Sequence, residues 1–180
     1  SHLSRCKVLF ELGKANGKLE NNLRAMEVLN DALSLAKQYS FTKERIELVL
    51  FITNLKVFID PSQAIQTLES LPLELRSQDN LSTSLFCEVL LTIGLTQWQT
   101  EQHTDSVSNL TQALEIANTL KNSKKSVSIK SHLSWVLIDI NRWQEAIQLI
   151  EDNIRYYSEY NNPYTLCELY NRKGFALETG

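Results

Sequence analysis

Along residues 103–122, HTDSVSNLTQALEIANTLKN, apolar and small positions recur at helical intervals. Ser106, Leu110 and Ala113 fall at i, i+4 and i+7, and Leu114, Ala117 and Leu120 continue the face. Such a stripe predicts a helix that buries one side against others. The spacing returns at Ala25/Leu29/Ala32, Ala64/Leu68/Leu71 and Ala146/Ile150/Asn153. The leading residues Ala25, Ala64, Ser106 and Ala146 are 39, 42 and 40 residues apart. No long segment alternates with the period of a strand, and Gly and Pro are scarce at five and three. The pattern therefore predicts an all-α chain of repeated helix pairs.

The pairs follow in order. The first joins helices 3–18 and 23–38, with Asn21 as N-cap and Leu23, Met26, Leu29, Leu33 and Ala36 as the inner face. The second joins 42–59 to 61–70 through Asp60-Pro61-Ser62-Gln63. That is an Asp cap, a Pro at the first helical position and a Gln three residues after the cap. Pro72 should end the helix, leaving 73–79 as an irregular extension. The third pair is 80–100 with 104–121. The fourth is 126–140 with 142–159, entered through Asn141 as cap with Gln144 three on. Helix 163–178 is half a pair. The repeats read as 3–40, 41–79, 80–122, 123–162 and a half repeat 163–180, all in one domain spanning 1–180. The chain opens inside a helical pattern and stops with another helix under way, so it reads as a piece of a longer protein.

Twelve residues before two of the four leading residues stand Gly13 and Gly94; Ile52 and Ser134 hold the other two places, and Gly174 lies 40 beyond Ser134. A mid-helix Gly costs about 1 kcal/mol against Ala, so it needs a reason. Close approach of two helix backbones, Gly on one meeting Ala on its partner, supplies one. A longer period overlies the first. Cys6 to Gly13, Cys87 to Gly94 and Cys167 to Gly174 share Cys-x6-Gly, whereas Arg45 and Val127 take the Cys place in pairs two and four.

Gly, a small residue twelve later, a large apolar residue four further on and another small residue three after that resemble the tetratricopeptide repeat. Ile93-Gly94 with Ser106, Leu110, Ala113 and Leu114 is the nearest match, and Leu12-Gly13 with Ala25, Leu29 and Ala32 the next. The period near 40 exceeds the family's usual 34, and the closing Pro is absent from its place. Repeats of this length resemble those of bacterial sensor and regulator proteins; HEAT and armadillo repeats are the structural alternative. The resemblance implies a right-handed superhelical stack of antiparallel helix pairs, an α-solenoid.

Bulk properties narrow the function. Net charge is −3 and pI about 5.7, which disfavours a broad nucleic-acid-binding face. The lysines at 124 and 125 and the basic residues within 5–18 read as solvated helix faces. No stretch reaches the ~18 apolar residues of a membrane span; residues 48–59 come nearest and are broken by Thr53, Asn54 and Lys56. The cysteines occupy equivalent places two repeats apart, too distant for a disulfide, and read as small apolar residues inside helix pairs. Three unpaired thiols favour a reducing compartment such as the cytoplasm. His2, His103 and His132 belong to no metal or nucleophile motif, so no catalytic residue, metal or cofactor is assigned. Gly13-Lys-Ala-Asn-Gly17-Lys18 has the wrong spacing for a phosphate loop and sits on a helix end.

First helices of stacked pairs line the concave side, where such repeats bind. The resemblance places Phe10, Lys14, Val49, Lys56, Leu91, Leu95, Trp98, Trp135, Ile138 and Phe175 there, with Thr53, Ser131 and Asn171 among them. The set is apolar and holds two of three Trp, a residue enriched in binding hot spots. It is either an open groove or packing between neighbouring first helices. The groove reading makes the chain a non-catalytic module for a peptide or protein segment with apolar anchors, held by Trp98 and Trp135 and steered by Lys14 and Lys56. Two further readings stand beside it. One is a sensory or regulatory segment controlling an attached output domain. The other is self-association through helix 163–178.

Overall fold

A joint of fixed geometry sets the spacing of the helices. The computed structural model describes residues 1–56, 60–69, 71, 80–160 and 162–179. Among these, nine helices form and no strand: α1 (His2–Lys18), α2 (Asn22–Gln38), α3 (Thr42–Lys56), α4 (Pro61–Glu69), α5 (Asn80–Gln99), α6 (His103–Thr119), α7 (Ser123–Asp139), α8 (Trp143–Glu159) and α9 (Pro163–Thr179). The predicted stop at Pro72, the extension 73–79 and the predicted helix ends at 57–59 and 70 lie outside the described residues. Six of the nine described helices have seventeen residues, and where two such helices flank a three-residue joint the step is 20 and the pair 40. The long period is thus a property of helix length, with the joint held constant.

Five joints share one conformation. Glu20, Ser40, Glu101, Lys121 and Asn141 take positive φ of 52–62°, and each stands two residues before the next helix begins. At the α1–α2 joint, Asn21 N–H donates to Asn16 O at 3.0 Å and Glu20 N–H to Gly17 O at 3.1 Å. The corresponding pairs recur at the four other joints, as from Asn122 to Ala117 and Lys121 to Asn118. This is the Schellman arrangement, which satisfies the last carbonyls of one helix while turning the chain into the next. Asn141, expected as an N-cap, is instead the left-handed residue of its joint. Arg142 is the N-cap, makes no side-chain cap bond, and grips Glu145 through two bonds of 2.6 Å. Side-chain caps do form at Ser1, Asn21, Asp60, Asn122 and Asn162, each accepting from the backbone N–H three residues on.

The chain divides into two compact units, Ser1–Leu85 and Phe86–Gly180. In the first, Cys6 and Phe10 of α1 pack with Ala25, Leu29 and Ala32 of α2 and with Leu48 of α3. Leu23 was expected on this inner face but is 84% exposed. The buried stripe of α2 runs through Ala25, Val28, Leu29, Ala32 and Ala36, where small residues let α1 come close. In the second unit, Leu110, Ala113, Ile129, Val136, Ala146 and Ile150 form the centre of one cluster.

Two glycines show why they stand where they do. A Cβ on Gly13 would lie 2.5 Å from Leu29 Cγ, and one on Gly94 would lie 2.7 Å from Leu110 Cγ. The group that closes on each glycine is the large residue of the partner helix, four beyond the small one. Ser106 still reaches Gly94, donating its hydroxyl to the Gly94 carbonyl at 2.7 Å. Seven residues before each glycine a thiol engages the same partner helix: Cys6 donates to Ala32 O at 3.5 Å and Cys87 to Ala113 O at 3.3 Å. In the fourth pair, where Val127 takes the Cys place, the bond runs the other way. Asn153 Nδ2 on α8 donates to Val127 O on α7 at 3.0 Å. All three bonds join residues 26 apart.

Candidate binding face

In the second unit the predicted residues fall into rows across α5, α7 and α9. Leu91, Ser131 and Asn171 make one row, Leu95, Trp135 and Phe175 a second, and Trp98 and Ile138 a third, each at 40-residue intervals. Leu91 and Ile138 are buried floor, while Leu95, Trp98 and Trp135 are half-buried against the core cluster. Phe175 is 50% exposed. Exposure therefore rises along the second row toward α9.

Two cross-links between helices two apart fix this face, and both span 41 residues. Trp98 Nε1–H donates to Asp139 Oδ2 at 2.6 Å. Arg172 donates to Ser131 O at 2.9 Å, Ser131 Oγ at 2.8 Å and Ser134 Oγ at 3.2 Å, while its guanidinium lies 4.2 Å from the Trp135 ring centroid. A guanidinium over an indole face is an attractive cation–π arrangement. Burial pushes the Arg172 pKa below its ordinary value. Its Nε is buried and has no hydrogen-bond partner among the described residues. His132 is likewise held below the usual imidazole range, first by burial and then by the positive charge of Arg172. Beside Trp98, a cleft lined by Gln99, Glu101, His103 and Asp139 gives that end of the face an acidic rim.

In the first unit Phe10 meets Phe51 edge-to-face at 5.9 Å. Lys14 Nζ sits 4.1 Å above the Phe10 ring and bonds Glu11 at 2.8 Å. Phe10 and Val49 are buried, and Lys14 and Lys56 are half-exposed. The ammonium group thus lies on the aromatic face in a cation–π contact, with the Glu11 carboxylate as its ion-pair partner. Sequence reasoning missed Asp139 and Arg172, whose only signal is the 41-residue spacing to Trp98 and Ser131.

Elsewhere the charges pair off. Lys125 joins Glu88, and Lys130 joins Asp152 at 2.5 Å. Burial raises the thiol pKa of both Cys6 and Cys87. Cys167, expected inside a helix pair, is exposed. No group of three or more metal-ligating side chains comes together among the described residues, and no described helix is long and apolar enough to cross a membrane.

Residues 7–39 match the family model described as tetratricopeptide repeat. No curated protein matches the sequence. Solved structures match over nearly the whole chain. A Rap protein complexed with Competence and Sporulation Factor superposes on 99% of this chain with a TM-score of 0.83 at 12% identity. A signal transduction ATPase with numerous domains and a tetratricopeptide repeat sensor, from Pyrococcus horikoshii, covers 98% with a TM-score of 0.76 at 14% identity. Nearly identical TPR-like repeats described as a kinesin light chain of Podosopora anserina cover 99% with a TM-score of 0.75 at 16% identity. The fold is the tetratricopeptide-repeat fold. The chain spans 53% of that Rap protein, 27% of the Pyrococcus protein and 91% of the kinesin light chain repeats.

Proposed function

We propose that this tetratricopeptide-repeat chain is a non-catalytic module that binds a peptide or protein segment on its first-helix face. In the second unit Leu91 and Ile138 form the floor, and Leu95, Trp98, Trp135 and Phe175 contact the ligand. In the first unit Phe10 and Val49 form the floor, and Lys14 and Lys56 contact the ligand. One observation carries the reading: two indoles and Phe175 stand half-open on one face, each indole already oriented by a charged neighbour. Preorientation lowers the entropy lost when an aromatic anchor is clamped. The Rap protein of the same fold is complexed with a factor, which supports a ligand-holding role.

Peptides selected from a displayed random library on this chain should carry apolar anchors. Trp135→Ala should weaken them at least tenfold by fluorescence anisotropy, with the circular dichroism spectrum unchanged. Trp98→Ala should do the same with a smaller loss, since its indole bonds Asp139 at the rim. Unfolding in both variants would make these residues core and remove the groove.

A second reading has its own support. The likeness to a protein named for its tetratricopeptide repeat sensor favours a sensory segment that controls an attached output domain. The full-length polypeptide decides it: an adjoining catalytic or DNA-binding domain supports it, and a chain of repeats alone removes it.

A further inference from the structure

The cleft beside Trp98 offers acceptors and an aromatic face but no cation. It is built on the joint after α5. Glu101 N–H donates to Trp98 O at 3.1 Å and Gln102 N–H to Gln97 O at 2.8 Å, which fixes the backbone that carries Trp98, Glu101 and His103. Asp139, the last residue of α7, joins them by accepting from the indole Nε1–H at 2.6 Å. With Gln99 these residues line a cleft of about 570 Å³, inside the second unit.

The electrostatics of the cleft are one-sided. Glu101 and Asp139 are exposed, and neither has an ion-pair partner among the described residues. The indole N–H is already committed to Asp139, so Trp98 has only its π face to offer. His103 adds a buried Nδ1 with no hydrogen-bond partner among the described residues, a nitrogen that accepts in the Nε2–H form of the neutral ring. The complement of two carboxylates and a π face is a flat cation with several N–H groups. Guanidinium carries five N–H donors in one plane, bonds carboxylates in pairs and stacks on indoles, whereas an ammonium is a compact point charge with no plane to stack.

The chain shows this chemistry at its other indole on the face. Arg172 of α9 lays its guanidinium 4.2 Å from the Trp135 ring centroid. No cation lies over Trp98 among the described residues. One indole is closed by the chain's own arginine; the other has two carboxylates beside it and nothing over it.

We propose that the Trp98 cleft receives an arginine side chain of the bound peptide, its guanidinium stacked on the indole and bonded to Asp139 and Glu101. This rests on the peptide-binding role proposed above, and adds to the ligand's apolar anchors one arginine at a fixed distance from them.

The test is a displayed random peptide library selected in parallel on the 180-residue chain and on its Asp139→Asn, Glu101→Gln double variant. Both substitutions keep side-chain shape, and the new amide oxygen at 139 can still accept from the Trp98 N–H. Sequencing should show arginine enriched about fivefold or more at one position relative to the apolar anchors on the parent chain, and the same anchors without that enrichment on the variant. A peptide from the parent pool, remade with citrulline for that arginine, keeps the planar group and loses the charge. By fluorescence anisotropy it should bind the parent about tenfold more weakly than the arginine peptide, and the variant within about twofold of it. Selected peptides with apolar anchors and no preferred arginine would overturn the proposal and leave the peptide-binding role intact. An equal citrulline penalty on both chains would also overturn it, by seating the arginine elsewhere, and lysine enriched as strongly as arginine would overturn the assignment to guanidinium. Failure to select any peptide on the parent chain would remove the peptide-binding role and this proposal with it.

Discussion

Among the described residues, five with side chains occupy left-handed backbone at the joints, and no described glycine is used there. A side chain in that region costs about 1–2 kcal/mol, and glycine would relieve it while giving back roughly 0.5–1 kcal/mol of chain entropy. Lys121→Gly and Glu101→Gly should therefore each raise stability by about 0.5 kcal/mol in urea unfolding. The glycines make a matched contrast. Gly174→Ala should gain about 1 kcal/mol, because nothing lies near its Cβ. Gly94→Ala should lose about 1–2 kcal/mol, because its Cβ collides with a buried Leu110 whose Cγ cannot yield. Equal effects at the two sites would undo the packing account. Leu23 and Asn141 show what residue identity alone leaves open. Leucine at the first turn of α2 has the right period but no element over it. Asparagine suits both an N-cap and a left-handed turn, and only the joint's two hydrogen bonds decide between them.

At the scale of the helix pair, one inter-helix bond is kept while its chemistry changes. Where the first helix offers a thiol, the second offers a carbonyl; where the first has Val127, the second supplies Asn153. A thiol is a weak donor and a carboxamide a strong one. Cys87→Ala should thus cost less than about 1 kcal/mol, whereas Asn153→Ala, which removes a carboxamide bond and leaves a void but also removes a buried unpartnered Oδ1, should cost about 1–2 kcal/mol. Chemical unfolding of the two variants compares them directly. The pairs themselves were legible from Gly, small and large residues at fixed intervals, because close backbone approach leaves a mark at single positions. The cross-links on the candidate face were not. Trp98–Asp139 and Arg172–Ser131 join helices two apart, and a surface Asp or Arg looks alike in sequence whether paired or free.

At the scale of the molecule, the joint shared by five described places makes the pairs it links interchangeable. Removing residues 123–162 would place Asn122 directly before Pro163, the same cap that Asn162 supplies now. The shortened chain should keep its mean residue ellipticity and unfold at lower urea, as repeats that contact mainly their neighbours do. Acid should weaken the protein through His132. Its folded pKa lies below the unfolded value near 6.5, so the unfolded chain binds the proton first and stability falls as pH drops below about 6.5. His132→Gln should flatten the melting temperature between pH 7 and 5.5, whereas an unchanged slope would assign it to other groups.

The repeated left-handed joint also bears on how the chain finds its structure. Its hydrogen bonds reach back only three and five residues, and α1 with α2, α6 with α7, and α7 with α8 pack as consecutive helices. Little loop entropy is lost before such contacts form, so refolding should finish within milliseconds and be able to start from any hairpin.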